Sequence, residues 1–369
     1  NNRVTRNEYD ALGRLVKGWS ASRSSGNQDP DVKIGYQMAK VTATITKPTA
    51  VTVQTLRDNG TYAKQVTIYD GLMRPFQIQS EAHGPGRIIT DTRYDDHGLV
   101  REQTGTYLVK GEPETAQFKR KSDSVVPSLT RTAYDGLERP VKTTTVRSGK
   151  AVYSASTSYG DNWTLTRPPG GAAPSVKTWT DALGRVNLIQ HYTDVGLSHW
   201  RNTKYSYDAR GARTTVTDPA GNIWTYTYDA RGRLTDSTDP DTGASSFGYD
   251  DLDRQTRVTD SLQKSTYTSY DEIGRVTAVR EGSTTASPTK EFTYDMTGAL
   301  GKPVSSTRHD ATGDYVNKIT GYDADYRATG REITIPAHAN TKGLSGTYAY
   351  QYTYTPTGKP VLGGPSDAK

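Results

Sequence analysis

Residues 207–227 read YDARGARTTVTDPAGNIWTYT, residues 228–248 read YDARGRLTDSTDPDTGASSFG, and residues 249–269 read YDDLDRQTRVTDSLQKSTYTS; a fourth copy opens with YDEIGR at Tyr270. The starts fall at 207, 228, 249 and 270, a period of 21 held three times running. In Asp208-Ala-Arg-Gly211 the Asp takes the first position of a type I turn and the Gly the fourth. The carboxylate can accept from nearby backbone N–H groups, and Gly tolerates positive φ. Half a repeat later, Asp218-Pro-Ala-Gly221 has the same ends, with Pro pre-setting φ at the second position. Between the turns, Trp224, Tyr226 and Tyr228 alternate with Ile223, Thr225 and Thr227, so they fall on opposite faces of a strand. Leu234 and Val276, two residues past a turn Gly, are apolar positions on returning strands. Each unit therefore contains two tight turns and two strands of about six residues, and the units join into an antiparallel ribbon.

The same signature recurs with looser spacing outside this block. Tyr9-Asp10 leads to Gly13, Tyr69-Asp70 to GLMR, Tyr94-Asp95 to Gly98, and Tyr134-Asp135 to GLER. Asp181 and Gly184 follow Thr180, which stands in the Tyr place. Then come Tyr207, Asp208 and Gly211; Tyr228, Asp229 and Gly232; Tyr249 and Asp250; and Tyr270, Asp271 and Gly274. Tyr294, Asp295 and Gly298, then Tyr322 and Asp323, and lastly Tyr354 with Thr355 for the Asp, bring the count to twelve. No stretch shows a helical period, so residues 1–369 are expected to form one all-β repeat region, a continuous antiparallel hairpin ribbon. The repeats are clearest over 207–290, with longer inserts or degenerate repeats at about 16–68, 100–130 and 141–178. Within the first of these, Asp58-Asn-Gly60 before Tyr69 reads as a hairpin.

Composition excludes several classes. At 369 residues the chain is longer than a single hydrophobic core usually serves, yet only 33% of it is hydrophobic and mean hydropathy is −0.76. Net charge is only +6, and 25 Tyr and 5 Trp argue against disorder. No apolar run reaches the roughly 18 residues of a membrane helix. With no Cys, disulfides, thiolate metal sites and a Cys nucleophile are excluded.

The recurring Y-D-x-x-G-R with D-P-x-G midway resembles the YD repeat of the RHS family, shared by teneurins and by the cocoon subunits of Tc toxin complexes. The resemblance covers about 9–358. It implies a ribbon that curves and spirals as part of a hollow shell, enclosing a C-terminal toxin or effector in bacterial polymorphic toxin systems. It implies a bacterial protein that is secreted or on the cell surface, with the rest of the shell and the cargo as partners. It also implies an aspartyl autoprotease in a closing segment. No D-P-x-G-x-x-D-G-x-N-x-Y motif appears here and repeat-like sequence runs to Lys369, so protease and cargo are not expected within these residues. Twelve copies imply at least 24 strands, a ribbon of about 115 Å and, closed into one ring, a diameter of only about 37 Å. A 100-residue domain is itself about 34 Å across, so the segment is expected to be part of a larger wall. The two ribbon edges are expected to pair with the rest of that shell or with a second copy.

Candidate sites for chemistry are few. The repeat Asp residues are expected to cap turns. Asp239-Pro-Asp241-Thr-Gly243 has the opening of a calcium loop but lacks its later oxygen ligands and closing Glu, so it also reads as a turn. Among six histidines only His191 and His199, flanking Asp194, cluster loosely, and no zinc spacing is present. There is no G-x-S-x-G and no phosphate-binding Gly loop. Catalytic, cofactor and metal residues are all expected to be absent, and the chain reads as no enzyme. A pI of about 9.1 raises nucleic-acid binding, but Arg14, Arg185, Arg233 and Arg275 stand just after turn glycines, placed for ion pairs with the turns. The one tight basic cluster, Lys119-Arg120-Lys121, is expected in an exposed loop. Trp163, Trp179, Trp200 and Trp224, with the Tyr rows, are candidates to stack on sugar rings. A carbohydrate-binding or adhesion module is therefore the alternative function. Asn59-Gly-Thr61 and Asn162-Trp-Thr164 match glycosylation sequons.

Overall fold

The computed structural model describes residues 4–21, 23, 25–41, 46–120, 122–171, 173–341 and 343–366. Among these, 29 strands form one antiparallel sheet, and the short strands Lys40–Val41 and Thr46–Lys47 pair with each other. No α-helix occurs among the described residues; three single 3-10 turns lie at Asp123–Val125, Pro169–Gly171 and Ala339–Thr341. Among the described residues no helix is long and apolar enough to cross a membrane.

Where both kinds of turn are tight, as over 200–281, each strand pairs with its neighbours in sequence, whereas in the first part Val32–Gln37 pairs with Thr49–Leu56 and Val100–Thr104 with Leu129–Tyr134 across intervening segments. Ile223–Tyr228 pairs with Arg213–Thr217 on one side and Leu234–Asp239 on the other, and Gly243–Tyr249 and Gln255–Thr259 continue the order. The alternation is visible in burial. Trp224, Tyr226 and Tyr228 are half-buried on one face, while Ile223, Thr225 and Thr227 are exposed on the other. At each YD turn the pairing slips by one residue. Ser206 faces Thr215, but Tyr207 faces Arg213, and the same slip occurs at Tyr9, Tyr69, Tyr134, Tyr228, Tyr249 and Tyr270. The returning strand thus carries one surplus residue, a β-bulge.

The chain divides into two compact units. The second, residues 155–322, 328–351 and 364–369, is mostly plain ribbon. The first, residues 1–154, 323–327 and 352–363, has a true core. There Thr49–Leu56 and Tyr62–Tyr69 form the hairpin closed by Asp58-Asn-Gly60, and Ala50, Val66 and Ile68 are fully buried with Phe76 against them. A second cluster joins Ile89, Tyr107, Val126, Leu129 and Val146, with Val109 and Phe118 packed on it.

The second cluster exists because residues 110–128 fold back over the sheet. Expecting Lys119-Arg120-Lys121 in an exposed loop is wrong for Arg120, whose side chain is 4% exposed; Lys121 lies outside the described residues. Arg120 is held down by carboxylates, donating to Asp91, Glu102 and Asp123.

Candidate functional site

The site that recurs is the YD turn, and its chemistry is structural. In the first copy, Oδ1 of Asp10 accepts from the N–H of Leu12 at 2.9 Å and of Arg14 at 3.0 Å. The other oxygen accepts from Nε of Arg14 at 2.8 Å and pairs with its Nη2 at 2.7 Å. One carboxylate therefore closes the turn and holds a two-pronged guanidinium. The Arg14 side-chain bond, followed by its backbone N–H, holds the Asp10 carboxyl below the usual range. The arrangement repeats at Asp70–Arg74, Asp135–Arg139, Asp181–Arg185, Asp229–Arg233, Asp250–Arg254, Asp271–Arg275 and Asp323–Arg327. Asp95 and Asp208, followed at that place by Leu99 and Ala212, keep the backbone half of the cap, and Asp208 has in addition a looser ion pair with Arg210 at 3.7 Å.

The guanidinium does a second job. Arg74 lies over the Tyr94 ring at 4.5 Å, Arg185 over Tyr207 at 4.8 Å, Arg233 over Tyr249 at 4.9 Å and Arg275 over Tyr294 at 4.5 Å. The same tyrosines donate their hydroxyls back to main-chain carbonyls of the preceding repeat: Tyr94 to Pro75, Tyr207 to Val186, Tyr249 to Leu234 and Tyr294 to Val276. Each of these four turns is thus tied to the next repeat by an Asp–Arg–Tyr–carbonyl chain. Tyr36, which has no Asp after it, serves Arg14 and the carbonyl of Leu15 in the same way. The alternating pattern marks these tyrosines as strand residues but does not name the carbonyl they reach.

Where the turn glycine is missing, the backbone still adopts its conformation. Met73, Glu138, Asp253 and Tyr326 have φ of 60°, 62°, 62° and 60°. A side chain there costs about 1–2 kcal/mol. We predict that Met73→Gly and Glu138→Gly will each raise stability by about 0.5–1 kcal/mol, the relief less the added chain entropy of glycine, read as a higher urea midpoint with unchanged slope.

Asp295 departs from the pattern. It lies inside the strand Pro288–Met296, at φ 72°, rather than at the head of a four-residue turn. Ala299 stands where an Arg would follow, and it pairs with Met296, so the hairpin closes over Thr297 and Gly298 alone. The freed carboxylate takes both Nη atoms of Arg275, at 2.9 and 2.7 Å, and the N–H of Gly301. The Arg275 bonds, first of all, pull its pKa down to about 2.

The remaining candidates resolve into structure. Asp239 accepts from the N–H groups of Asp241 and Thr242 and from Nε1 of Trp224. Asp194 accepts from the Ser198 hydroxyl and from the N–H groups of Ser198 and His199, which pull it down to about 2. His191 is not part of that turn; it pairs across the sheet with Val176 and Arg201. Among the described residues no group of three or more His, Asp or Glu could hold a metal. Trp163 and Trp179 face each other with ring centroids 6.3 Å apart, and Lys177 caps both, 4.0 and 4.2 Å from their centres. Trp200 is 49% exposed, edge-on to Tyr192.

Within the first unit, turns also meet turns. Arg57 bridges Glu81 and Asp325, at 3.0 and 2.8 Å. A hydrogen bond to Asp58, with partial burial, pushes the Tyr326 phenol up to about 12. His83 donates its N–H to the carbonyl of Pro356 and lies edge-on to Tyr354. The turn Asp323–Arg327 and the turn that follows the strand Gly346–Tyr354 are thereby clasped to the early hairpins of the same unit.

Residues 207–244 match the sequence model of the family described as RHS Repeat. No curated protein matches the chain in sequence. Among solved structures, TcdB2-TccC3 resembles it with a TM-score of 0.59 at 14% identity, over 97% of this chain and 22% of that one. A chain of the Photorhabdus luminescens Tc holotoxin pore does so with a TM-score of 0.58 at 12% identity, over 96% of this chain and 24% of its own length. The chain thus spans about a quarter of the structures it matches. Residues 207–244 thus carry an RHS repeat in sequence, and nearly the whole chain shares the ribbon fold of these Tc toxin structures.

Proposed function

We propose that this chain is a non-catalytic wall segment of an RHS shell that encloses a toxin or effector until delivery. The observation that carries the reading is the fold match over 97% of the chain to about a quarter of a Tc toxin component. The Asp–Arg–Tyr chain supports it, because a wall must hold its curvature without a deep core, and neighbour-to-neighbour ties supply that. Containment is the mechanism: cargo inside is kept from its targets, and no residue of the wall performs chemistry. The partners are the rest of the shell and the cargo, and the setting is secreted or cell-surface.

A row of turn side chains supports edge association with further shell. Leu12, Leu72, Leu137, Leu183, Leu252 and Ile273 occupy the same turn position, each 71–76% exposed. At Asp323–Arg327, the turn clasped inside the first unit, that position is Asp325. Sugar stacking has less support, since Lys177 covers two of the candidate rings.

The test uses the native gene product. We predict that intact mass and native electrophoresis will show a downstream piece that is cleaved yet co-migrates with the repeats and resists added protease. A repeat region with no enclosed piece overturns containment, and a glycan array with Trp200→Ala then decides whether adhesion replaces it.

A further inference from the structure

The strands Pro288–Met296, Ala299–Asp310 and Gly313–Tyr322 are consecutive and antiparallel. His309 stands on the middle one and faces a carboxylate on each side. Its Nδ1 is 2.7 Å from Oδ1 of Asp314, its direct cross-strand partner, and its Nε2 is 3.2 Å from Oε2 of Glu291. An ionised carboxylate only accepts, and a neutral imidazole has one N–H and one lone pair. In a neutral ring, one nitrogen would turn its lone pair on a carboxylate oxygen. Only the imidazolium donates to both.

We propose that Glu291, His309 and Asp314 form a proton-operated brace that ties three strands together when His309 is charged and loosens when it is not. The surrounding charges leave this trio distinct. On the same face, Lys318 and Glu332 sit opposite each other further along the sheet. Register places Lys290, Arg308 and Tyr315 on the other face, and Arg308 pairs with Asp310 at 3.0 Å. Asp310 also interacts with His338. On the strand beyond, Arg280 donates to Ser269. No other cation is recorded pairing with Glu291 or Asp314 among the described residues. The Asp314 bond, before any other influence, raises His309 above its ordinary value of 6.5.

The sign of the linkage follows. A group whose pKa is raised on folding stabilises fully below its unfolded value and loses that contribution as pH rises through its folded value. The brace therefore holds between the carboxylate range and the His309 titration, and releases above it. Acidification from neutral pH tightens this hairpin.

The test is a titration of the whole chain by NMR, where six histidines give a readable set of ring C–H signals. His309 is expected to titrate above about 6.5, and D314N and E291Q are each expected to lower its midpoint. By linkage, each unit of the shift corresponds to about tenfold in the unfolding constant. The urea midpoint of wild type over H309Q should accordingly exceed zero at pH 6 and shrink as pH rises. A midpoint at or below about 6.5, or one that neither amide substitution moves, overturns the brace. Since the readout is one ring in one hairpin, it is independent of whether the ribbon encloses cargo.

Discussion

Replacing Arg120 with methionine will destabilise the first unit by about 3–5 kcal/mol, the cost of breaking a buried ion network from one side. The guanidinium is 4% exposed, and its partners Asp91 and Glu102 are 12% and 5% exposed. It reaches Asp91 at 2.9 Å and Asp123 at 3.0 Å, and it also binds Glu102. Glu102 keeps Arg131 at 3.2 Å and Arg93 at 3.4 Å, but Asp91 keeps only the neutral donors Gln77 and Tyr107. Methionine fills much of the volume and none of the charge, so the loss reads out the uncompensated carboxylate. A fall in the urea midpoint at constant slope measures it. Adding Asp91→Asn to Arg120→Met should recover part of the loss; if it recovers none, packing and not charge is what Arg120 supplies.

The second large effect is expected at Gln77 and Gln79. Their side chains are 1% and 0% exposed, whereas Ile78 between them is 37% exposed. The Gln77 amide donates to the carbonyl of Phe118 and accepts from its N–H, at 2.9 Å each. Gln79 donates to the carbonyl of Ala116 at 2.8 Å and accepts from the N–H of Glu114 at 3.0 Å. Two side chains thus stand in for a neighbouring strand and hold 110–128 over the sheet. Leucine at both positions keeps the bulk and strands four backbone groups, at about 1–3 kcal/mol for each that stays buried. Rather than bear that, the segment should lift off. We expect the double variant to lose at least about 4 kcal/mol and to be cut rapidly by protease between 110 and 128, while Ile78→Thr, on the exposed face, stays within about 0.5 kcal/mol of wild type.

These two sites show where the sequence stops being legible. The hairpin ribbon could be read from it because the turn is local: Asp, Gly and Arg lie within five residues, and the cap needs nothing further away. The strand around Gln77 defeats the same reasoning. Alternation there puts Phe76 and Ile78 on one side and two glutamines on the other, and hydrophobicity alone would turn the glutamines to water. The bonds that reverse the choice come from residues 35 to 41 positions later. Arg120 fails for the same reason: three adjacent basic residues look like a solvated loop until the carboxylates of two strands are brought beneath the middle one. The Tyr hydroxyl contacts are intermediate, since the period of 21 repeats the partner carbonyl as regularly as the Tyr, but only the register of the sheet says which one it is. Asp295 could have been set apart from the start, because its copy alone among the Asp copies has Ala after the Gly without an Arg two residues before.

The one-residue slip at each YD turn works as punctuation. Side-chain orientation in a strand depends on counting by two, so one inserted residue would invert every face downstream if nothing reset the count. Here the capped turn restarts it, because the Asp fixes its own position against the N–H groups two and four residues on, whatever the length of the strand before it. The strands that lead into a capped turn can accordingly run from six residues at Ile223–Tyr228 to ten at Gly313–Tyr322 and still deliver their last Tyr to the turn. An insertion is then an error of one word rather than of the whole text, which is how a ribbon can keep its grammar while the distance between copies varies from 21 residues to 60.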